Sequence, residues 1–242
     1  MTDTIDHAAS ATETDAAATV ASWLASFEAA LTAKDLEAAG DLFLSASFWR
    51  DLVSFTWNLK TVEGPEGVKG MLAATLDNVR PTGFEASEEP TESGGVTEAW
   101  ITFETAVGRG LGHLRLKDGK CWTLLTTLTE LKGHEEPKRE QRPMGAEHGA
   151  DKDRRTWLEK RRQEAEDLGH TTQPYVVVVG GGQGGIALGA RLRQLGVPAI
   201  IVERNLRPGD SWRNRYKSLC LHDPVWYDHL PYIPFPDNWP VF

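Results

Sequence analysis

The chain has 242 residues, of which 40% are hydrophobic and 25% charged, with 2 cysteines and a formal net charge of −9. This composition is that of an ordinary globular protein with room for one large domain or two small ones, and it excludes a wholly disordered chain, a collagen-like chain and a disulfide scaffold. Apolar runs such as Tyr175–Val179 are far shorter than the roughly 20 residues of a membrane-spanning helix.

The charge is distributed unevenly along the chain. Residues 1–131 carry a net charge of −11, residues 132–172 are neutral, and residues 173–242 carry +2. An acidic first half disfavours nucleic acid or an anionic membrane as a partner, whereas the basic last segment suits a bound anion. The N-terminus lacks the features of a signal peptide, and Cys121 and Cys220 have no metal-site spacing. We therefore predict a cytoplasmic protein with reduced thiols and no metal site.

The first part of the chain has a helical pattern. Residues 1–18 contain no large apolar side chain apart from the first residues, and we predict a disordered tail there. Apolar residues then recur at helical spacing from Val20 to Leu31 and again over 36–43, which predicts two amphipathic helices. An irregular stretch over 48–67 precedes a short helix that ends near Pro81.

After Pro90 the period of the pattern changes to two. Residues 99–104 alternate apolar and polar side chains, and Asp118–Gly119 is a hairpin signal followed by a return strand over 121–131. Helices followed by a curved antiparallel sheet predict an α+β domain over 19–131.

This element order, with its Trp-rich strands, resembles the SnoaL-like or NTF2-like fold, in which helices close a cone-shaped sheet around a pocket. Some members of that superfamily are isomerases or cyclases with a pocket Asp or His, and the resemblance offers Asp51 and His113 as general-base candidates. The alternative, which we favour, is an Asp at a surface turn and a strand His that faces water. Other members only bind or dimerise, so a homodimer through this domain is a further expectation.

Residues 132–172 have the composition of a charged linker. Pro, Gly and alternating charges over 133–153 predict an extended segment. Arg154–Leu168 predicts a short polar helix that ends at Gly169.

Residues 173–242 begin with a strand–glycine loop–helix–strand pattern. An apolar run over 175–179 is typical of a buried parallel strand, residues 186–195 predict an apolar helix, and residues 199–202 a second strand. The sequence GGGQGG lies between the first strand and the helix. It places a GxGxxG motif on Gly180, Gly182 and Gly185, with Gly184 inside it.

This motif predicts a dinucleotide site. Its glycines permit a tight turn, close approach of a pyrophosphate and close helix–strand packing, while the helix N-terminus attracts phosphate. Glu203 lies 23 residues after Gly180, at the end of the second strand, where a carboxylate accepts ribose hydroxyls and disfavours a 2′-phosphate. The segment is therefore predicted to bind FAD or NAD rather than NADP.

The residues after Glu203 favour FAD. The chain continues as ER, then GDSWRNRY, then LCLHDP, and then LPYIPFP. This order resembles the first FAD-binding segment of class B flavoprotein monooxygenases, including the flavin-containing, YUCCA-like and Baeyer–Villiger branches. One departure is Asp210, where many relatives have glycine.

The resemblance implies roles for particular residues. The four glycines would hold the FAD pyrophosphate and Glu203 the adenosine ribose, with further cofactor contacts from Arg204, Trp212, Arg215 and His222. Core packing for Trp212, a solvated helix face for Arg215 and a structural hydrogen bond for His222 remain open alternatives. No catalytic residue is assigned.

The same resemblance implies an enzyme that oxygenates a small molecule. In that family NADPH reduces FAD, and the reduced flavin activates O₂ as a C4a-peroxide for oxygen transfer. NADPH needs a second GxGxxG unit, which this sequence lacks. Because two strands make an incomplete Rossmann sheet, we expect the chain to be the N-terminal part of a longer monooxygenase, inactive alone.

Two other functions stay open at this point. The first is an NTF2-like binding or dimerisation module that carries a vestigial dinucleotide motif. The second is a fragment of an NAD-dependent dehydrogenase, which the run from Trp212 to Pro236 disfavours because such enzymes do not need it.

Overall fold

The computed structural model describes residues 9–145, 149 and 153–242. The chain divides into two compact units, unit 1 up to Glu135 and unit 2 from Glu136. Unit 2 therefore includes most of the segment predicted as a linker. Residues 1–8 of the predicted tail and residues 146–148 and 150–152 of that linker lie outside the described residues.

Unit 1 contains three helices: α1 (Ala9–Ala33), α2 (Leu36–Asp41) and α3 (Gly64–Val79). The structure differs from the predicted tail over residues 9–18, which extend α1, and Ala16 is buried there. The physical reason is that the segment is alanine-rich, and alanine has the highest intrinsic helix propensity. The Asp35 side chain accepts a hydrogen bond from the Ala38 N–H at 2.9 Å and so caps the start of α2.

Helix α1 also contains the 18-residue window Ala16–Ala33, which is long and apolar enough to cross a membrane by length and composition. Its large side chains belong to the core of unit 1, since Trp23, Leu24 and Phe27 are each at most 3% exposed. This window therefore has the burial of a core helix.

Seven strands of unit 1 form one sheet: β1 (Phe43–Leu52), β2 (Leu59–Glu63), β3 (Thr82–Ala86), β4 (Thr91–Ser93), β5 (Val96–Glu104), β6 (Gly108–Lys117) and β7 (Lys120–Leu131). The strand order is β2-β1-β7-β6-β5-β3, with β4 beside β5. Every pairing is antiparallel except that of β1 with β7. The predicted hairpin turn is present, because Asp118 and Gly119, with φ of 53° and 72°, join β6 to β7.

Aromatic side chains fill the space between the helices and the sheet. Neighbouring rings lie 4.8–6.1 Å apart in stacked, tilted and edge-to-face pairs. Each ring is at most 6% exposed, and the set is Trp23, Phe27, Phe43, Trp49, Phe55, Phe84 and Phe103. The inner face of the sheet thus carries a packed core.

Three glycines on β6 lie where close neighbours leave no space for a side chain. Gly108, Gly110 and Gly112 alternate along the buried face of the strand, and a Cβ on Gly110 would lie 2.2 Å from the Phe103 ring. We expect Gly110→Ala to destabilise unit 1 by about 1–3 kcal/mol, because the ring must move within a close-packed core. Urea unfolding followed by tryptophan fluorescence measures the loss.

The matched control is Gly70→Ala in α3, where an added Cβ would meet nothing within 4 Å. Alanine in the interior of a helix is favoured over glycine by about 0.5–1 kcal/mol, so this variant should unfold at a higher urea concentration. If both variants shift the midpoint in the same direction, the packing explanation for Gly110 is wrong.

Unit 2 contains a βαβ element. A 3₁₀ turn (Arg139–Gln141) and helix α4 (Trp157–Asp167) come first. Strand β8 (Val176–Val179), helix α5 (Gln183–Gln194), strand β9 (Ala199–Val202) and the short helix α6 (Asp210–Arg213) follow. Strands β8 and β9 pair in parallel with Val176 opposite Ala199. The predicted fold class, an α+β unit followed by the start of a Rossmann-type unit, is confirmed.

The two-stranded sheet of unit 2 buries little apolar surface. Among the described residues of unit 2, Val178 is the one hydrophobic residue that is buried, at 7% exposed. By contrast, Val177 is 57% exposed and Val179 is 87% exposed, although they lie on the same strand. A parallel sheet normally has both faces covered, so the strands of unit 2 present apolar side chains to solvent.

Candidate dinucleotide-binding site

The glycine loop joins β8 to α5 by a tight turn. Gly180 has a φ of 104°, a conformation that favours glycine, and its N–H donates to the Val202 carbonyl oxygen at 2.7 Å. A Cβ on Gly185 would lie 1.8 Å from the Gly180 carbonyl oxygen. Gly180 thus allows the turn, and Gly185 allows α5 to pack directly against it.

The N-terminus of α5 is free of side-chain caps. Gly182 is the N-cap residue and has extended backbone, with no side-chain hydrogen bond to the first turn. A Cβ on Gly184 would meet nothing within 4 Å. The first-turn N–H groups have no intrahelical acceptor, and the helix dipole adds positive partial charge there. The backbone of this turn is therefore suited to an anion such as a phosphate.

Glu203 follows β9 directly and holds the glycine loop. Its Oε2 accepts a hydrogen bond from the Gly181 N–H at 2.5 Å, and its Oε1 accepts from the backbone N–H and the side-chain amide of Asn205 at 2.8 and 2.6 Å. The hydrogen bond from the Asn205 backbone, followed by that from Gly181, lowers the pKa of Glu203 below its ordinary value. The ionised carboxylate is an acceptor only, with about four lone-pair positions, so capacity remains for a ligand hydroxyl.

A cavity of about 440 Å³ opens beside the start of α5. Helix α5 contributes Gly184 to its wall, α6 contributes Trp212, and the following segment contributes His222. The remaining lining residues are Gln183, Ala187, Cys220, Leu221, Asp223, Tyr227, Asp228, His229, Leu230 and Pro231. This volume falls within the range of about 300–1,000 Å³ that is usual for small-molecule sites.

The two arginines assigned to the site by sequence lie at the surface. Arg204 and Arg215 are both exposed. The Arg215 guanidinium lies 5.1 Å from the centre of the Trp212 ring, a cation–π arrangement. Arg215 therefore contacts a residue of the cavity wall, Trp212, and does not line the cavity itself. Among the contacts described, Arg204 touches no residue that lines the cavity.

Asp210, the departure from the family pattern, closes the turn before α6. Its carboxylate accepts hydrogen bonds from the Arg207 backbone N–H and Nε, each at 3.2 Å, and from Arg213 Nη1 at 3.0 Å. Burial raises the pKa of this carboxyl group, but the hydrogen bonds from Arg213 and Arg207 outweigh burial, and the pKa lies below its ordinary value. The turn is thus closed by a side chain, with Gly209 at a φ of 81° before it.

Sequence reasoning missed two residues of this site. Gly181 donates to Glu203, and a Cβ at Gly181 would lie 3.1 Å from the Glu203 Oε2. The run of three glycines offered a signal, because GxGxxG leaves its second position free and this chain still has glycine there. Asn205 supplies two of the donors to Glu203, and no pattern in the sequence indicates it.

Asp51 in unit 1 is buried and fully hydrogen-bonded. It is 0% exposed, and its carboxylate accepts from the hydroxyls of Ser54, Thr56 and Thr126 and from the backbone N–H groups of Phe55 and Thr56. The distances to Thr56 and Thr126 are all 2.8 Å. Asp51 is therefore neither the surface residue of the favoured alternative nor a free general base, since its acceptor positions are occupied.

His113 lies on the outer face of the sheet. Its neighbour Leu114 is buried, whereas His113 is half-buried and its ring centre lies 4.7 Å from that of Trp100. His113 Nε2 lies 3.7 Å from the Glu98 carboxylate. This position is on the opposite face from the aromatic core, so the structure does not bring His113 and Asp51 together.

Cysteines and other metal-ligating side chains form no centre in the described part of the chain. Cys121 is buried and Cys220 is exposed, and both are free. Burial raises the pKa of the Cys121 thiol. Among the described residues no group of three or more His, Cys, Asp or Glu side chains is placed to hold a metal ion.

Comparison with curated proteins finds local similarity to monooxygenases and to an oxidoreductase. The chain is 39% identical over 79 residues to indole-3-pyruvate monooxygenase YUCCA1 of Oryza sativa subsp. japonica, which covers 32% of this chain and 20% of that protein. It is 45% identical over 67 residues to the probable indole-3-pyruvate monooxygenase YUCCA3 of Arabidopsis thaliana, covering 27% and 15%. An uncharacterized CzcO-like oxidoreductase of Geobacillus kaustophilus is 46% identical over 56 residues, covering 23% and 16%.

The chain thus contains a segment similar to part of indole-3-pyruvate monooxygenases and of a CzcO-like oxidoreductase. It spans only 15–20% of the length of these curated relatives. No protein-family model matches it.

Two solved structures similar to the chain each cover less than half of it. An NTF2-like protein of unknown function from Cytophaga hutchinsonii is 13% identical with a TM-score of 0.33, covering 46% of this chain and 89% of that one. A putative polyketide cyclase from Sinorhizobium meliloti is 14% identical with a TM-score of 0.34, covering 43% and 93%.

Proposed function

We propose that unit 2 is the first FAD-binding segment of a flavin-dependent monooxygenase that uses NADPH as reductant. The observation that carries this proposal is the pairing of an uncapped glycine-loop helix start with an ionised Glu203 hydrogen-bonded to the same loop. A phosphate on α5 and a ribose on Glu203 are the two recognition elements that an adenine dinucleotide requires.

The residues present fit FAD. Backbone N–H groups after Gly182 would hold the pyrophosphate, and Glu203 would accept from the ribose hydroxyls. The cavity lined by Gly184, Trp212 and His222 would receive the part of the cofactor that extends past the helix start. When bound, FAD supplies the redox chemistry, while these residues bind it, orient it and exclude water from it.

The local similarity to monooxygenases favours FAD over NAD as the dinucleotide. Proteins described as indole-3-pyruvate monooxygenases share 39–45% identity with the chain over 67–79 residues. By analogy the whole enzyme would oxygenate a small molecule, with its NADPH site on another segment.

The test is a calorimetric titration of the 242-residue chain with FAD, NAD⁺ and NADP⁺. We expect FAD to bind one to one and at least about tenfold more tightly than either nicotinamide cofactor. Glu203→Gln should weaken FAD binding about 10- to 100-fold, because it removes a charged acceptor from a ribose hydroxyl, a bond of about 1.5–3 kcal/mol.

The matched control is Glu166→Gln on α4, an exposed glutamate that belongs neither to the glycine loop nor to the lining of the cavity. It should bind FAD as the parent does. Preferential binding of NAD⁺ would favour the dehydrogenase alternative over this proposal. If the chain binds none of the three cofactors, the glycine motif is not a dinucleotide site and the proposal is overturned.

A further inference from the structure

A second cavity, of about 530 Å³, lies in unit 1 at the edge of the sheet. Four segments line it: the loop between β1 and β2, the start of β2, the C-terminal half of α3, and the turn between β5 and β6. We name it the rim cleft. Among its lining residues are Trp57, Lys60 and Asn78.

The rim cleft lies outside the aromatic core. Phe55, Met71 and Val79 are buried residues that form its apolar floor. The space on the inner side of that floor is occupied by rings, since Phe55 lies 4.9 Å from Trp49 and 6.0 Å from Phe103, centre to centre. A ligand of unit 1 would therefore bind at the rim, with the packed core behind it.

The loop that forms one wall has a fixed and unusual conformation. Val53 and Trp57 have φ values of 60° and 52°, in the left-handed region that such side chains rarely adopt. The buried Asp51 carboxylate holds this loop through the backbone N–H groups of Phe55 and Thr56. Strained backbone held by a buried anchor is typical of positions that present a functional side chain. The side chain presented here is Trp57, which is 61% exposed.

The rim cleft contains a single charged group, and that group is a cation. Lys60 is the one charged residue among those lining it, although residues 1–131 carry a net charge of −11. Lys60 pairs with Asp51 in the β1–β2 register, so both side chains project from the same face, but no ion pair of Lys60 is found within the described residues. The side-chain amide of Asn78 likewise makes no hydrogen bond within that part of the chain.

We propose that the rim cleft binds a small aromatic carboxylate. The aromatic ring packs on Trp57 and the apolar floor, where aromatic stacking and burial favour a flat apolar group. The carboxylate pairs with the Lys60 ammonium and the Asn78 amide, the charged and neutral donors of the cleft. This assignment does not depend on the flavin site of unit 2.

The experiment is an NMR titration of the uniformly ¹⁵N-labelled 242-residue chain with three probes of similar size: benzoate, benzyl alcohol and benzylamine. We expect benzoate to shift the Trp57 indole N–H and the backbone amides of residues 54–60, with a Kd of about 1 mM, as suits a fragment of nine heavy atoms. Benzyl alcohol should bind about fivefold more weakly, and benzylamine more weakly still. The indole signal is assigned from the spectrum of Trp57→Phe.

Variants separate charge recognition from ring packing. Lys60→Gln should weaken benzoate about fivefold or more and leave benzyl alcohol unchanged, whereas Trp57→Leu should weaken both. The matched control, Lys117→Gln, changes an exposed lysine at the far end of β6 and should bind as the parent does. Unchanged amide shifts elsewhere in unit 1 show that each variant folds.

The proposal is overturned by any of three results. Benzoate could leave the Trp57 indole and the loop amides unshifted at about 20 mM, well above the expected Kd. Benzylamine could bind as tightly as benzoate. Lys60→Gln and Lys117→Gln could bind benzoate equally. Failure of FAD to bind unit 2 has no effect on these outcomes, so the two proposals fail separately.

Discussion

Asp51→Ala is expected to destabilise unit 1 by about 3–5 kcal/mol. The change removes the shared acceptor of Ser54, Phe55, Thr56 and Thr126 within a fully buried site. Each buried donor left without a partner lowers the free energy of unfolding by about 1–3 kcal/mol. Part of this loss is recovered when neighbouring side chains rearrange or water enters the site. Urea unfolding monitored by tryptophan fluorescence gives the free energy of unfolding.

Asp51→Asn and Asp77→Ala provide the comparison. Asparagine keeps the size of the side chain but turns one acceptor into a donor that faces other donors, so the loss should be intermediate, about 2 kcal/mol. Asp77 is a surface residue that pairs with Lys34, and its side chain is 79% exposed. Its removal should leave the midpoint nearly unchanged. Equal midpoints for Asp51→Ala and Asp77→Ala would contradict the anchoring role.

This result also separates an anchor from a catalytic base. Carboxylates kept for catalysis often sit in strained or poorly satisfied surroundings, and their removal is then neutral or stabilising. The acceptor positions of Asp51 are instead occupied by donors of its own unit, among them Thr126, which also accepts from Trp49 Nε1 at 2.9 Å. A strong loss of stability is therefore the signature of an anchor for the loop that carries Trp57.

The fold class could be predicted from the sequence because several of its helices and strands have clear local patterns. The period-two alternation over 99–104 lies in β5, and the Asp118–Gly119 signal joins β6 to β7. The short helix predicted to end near Pro81 is α3, which ends before Arg80, a residue with a φ of 44°. These elements are fixed by the residues within them, so the sequence suffices.

Other elements depend on distant residues and could not be predicted. The sequence over 48–67 predicts an irregular stretch, but it contains the second half of β1 and all of β2. Strand β1 is held on one side by β2, close by in the chain, and on the other by β7, whose residues lie more than 70 positions away. The predicted second helix extended to Phe43, yet α2 ends at Asp41 and Phe43 begins β1. Tertiary pairing overrides the local helical spacing there.

The burial of Asp51 could not be predicted from the sequence, for the same reason. An aspartate between Arg50 and Leu52 has no local mark of a buried anchor, and its partner Thr126 lies 75 positions away. The dinucleotide motif is the opposite case. Its glycines, strand and helix are contiguous, and Glu203 lies at the spacing that a βαβ element sets, so the loop geometry follows from the sequence.

Gly185→Ala is expected to lower the affinity for FAD by at least about 100-fold, equivalent to about 2.7 kcal/mol. Its Cβ would lie 1.8 Å from the Gly180 carbonyl oxygen, a backbone atom that cannot swing aside as a side chain can. The start of α5 must then move away from the loop that Glu203 holds, which separates the phosphate and ribose positions of the proposed site. Calorimetric titration with FAD measures the loss.

The neighbouring Gly184 supplies the control that makes this prediction specific. Alanine there meets nothing within 4 Å and lies in the first turn of α5, so Gly184→Ala should keep the amide hydrogen-exchange protection of residues 176–202 and lose less than about tenfold in FAD affinity. The two variants add the same methyl group one residue apart. If they lose affinity and protection equally, the close approach of Gly185 to Gly180 does not organise the site. If Gly185→Ala loses much more FAD affinity than Gly184→Ala, the affinity depends on the close contact between α5 and the glycine loop.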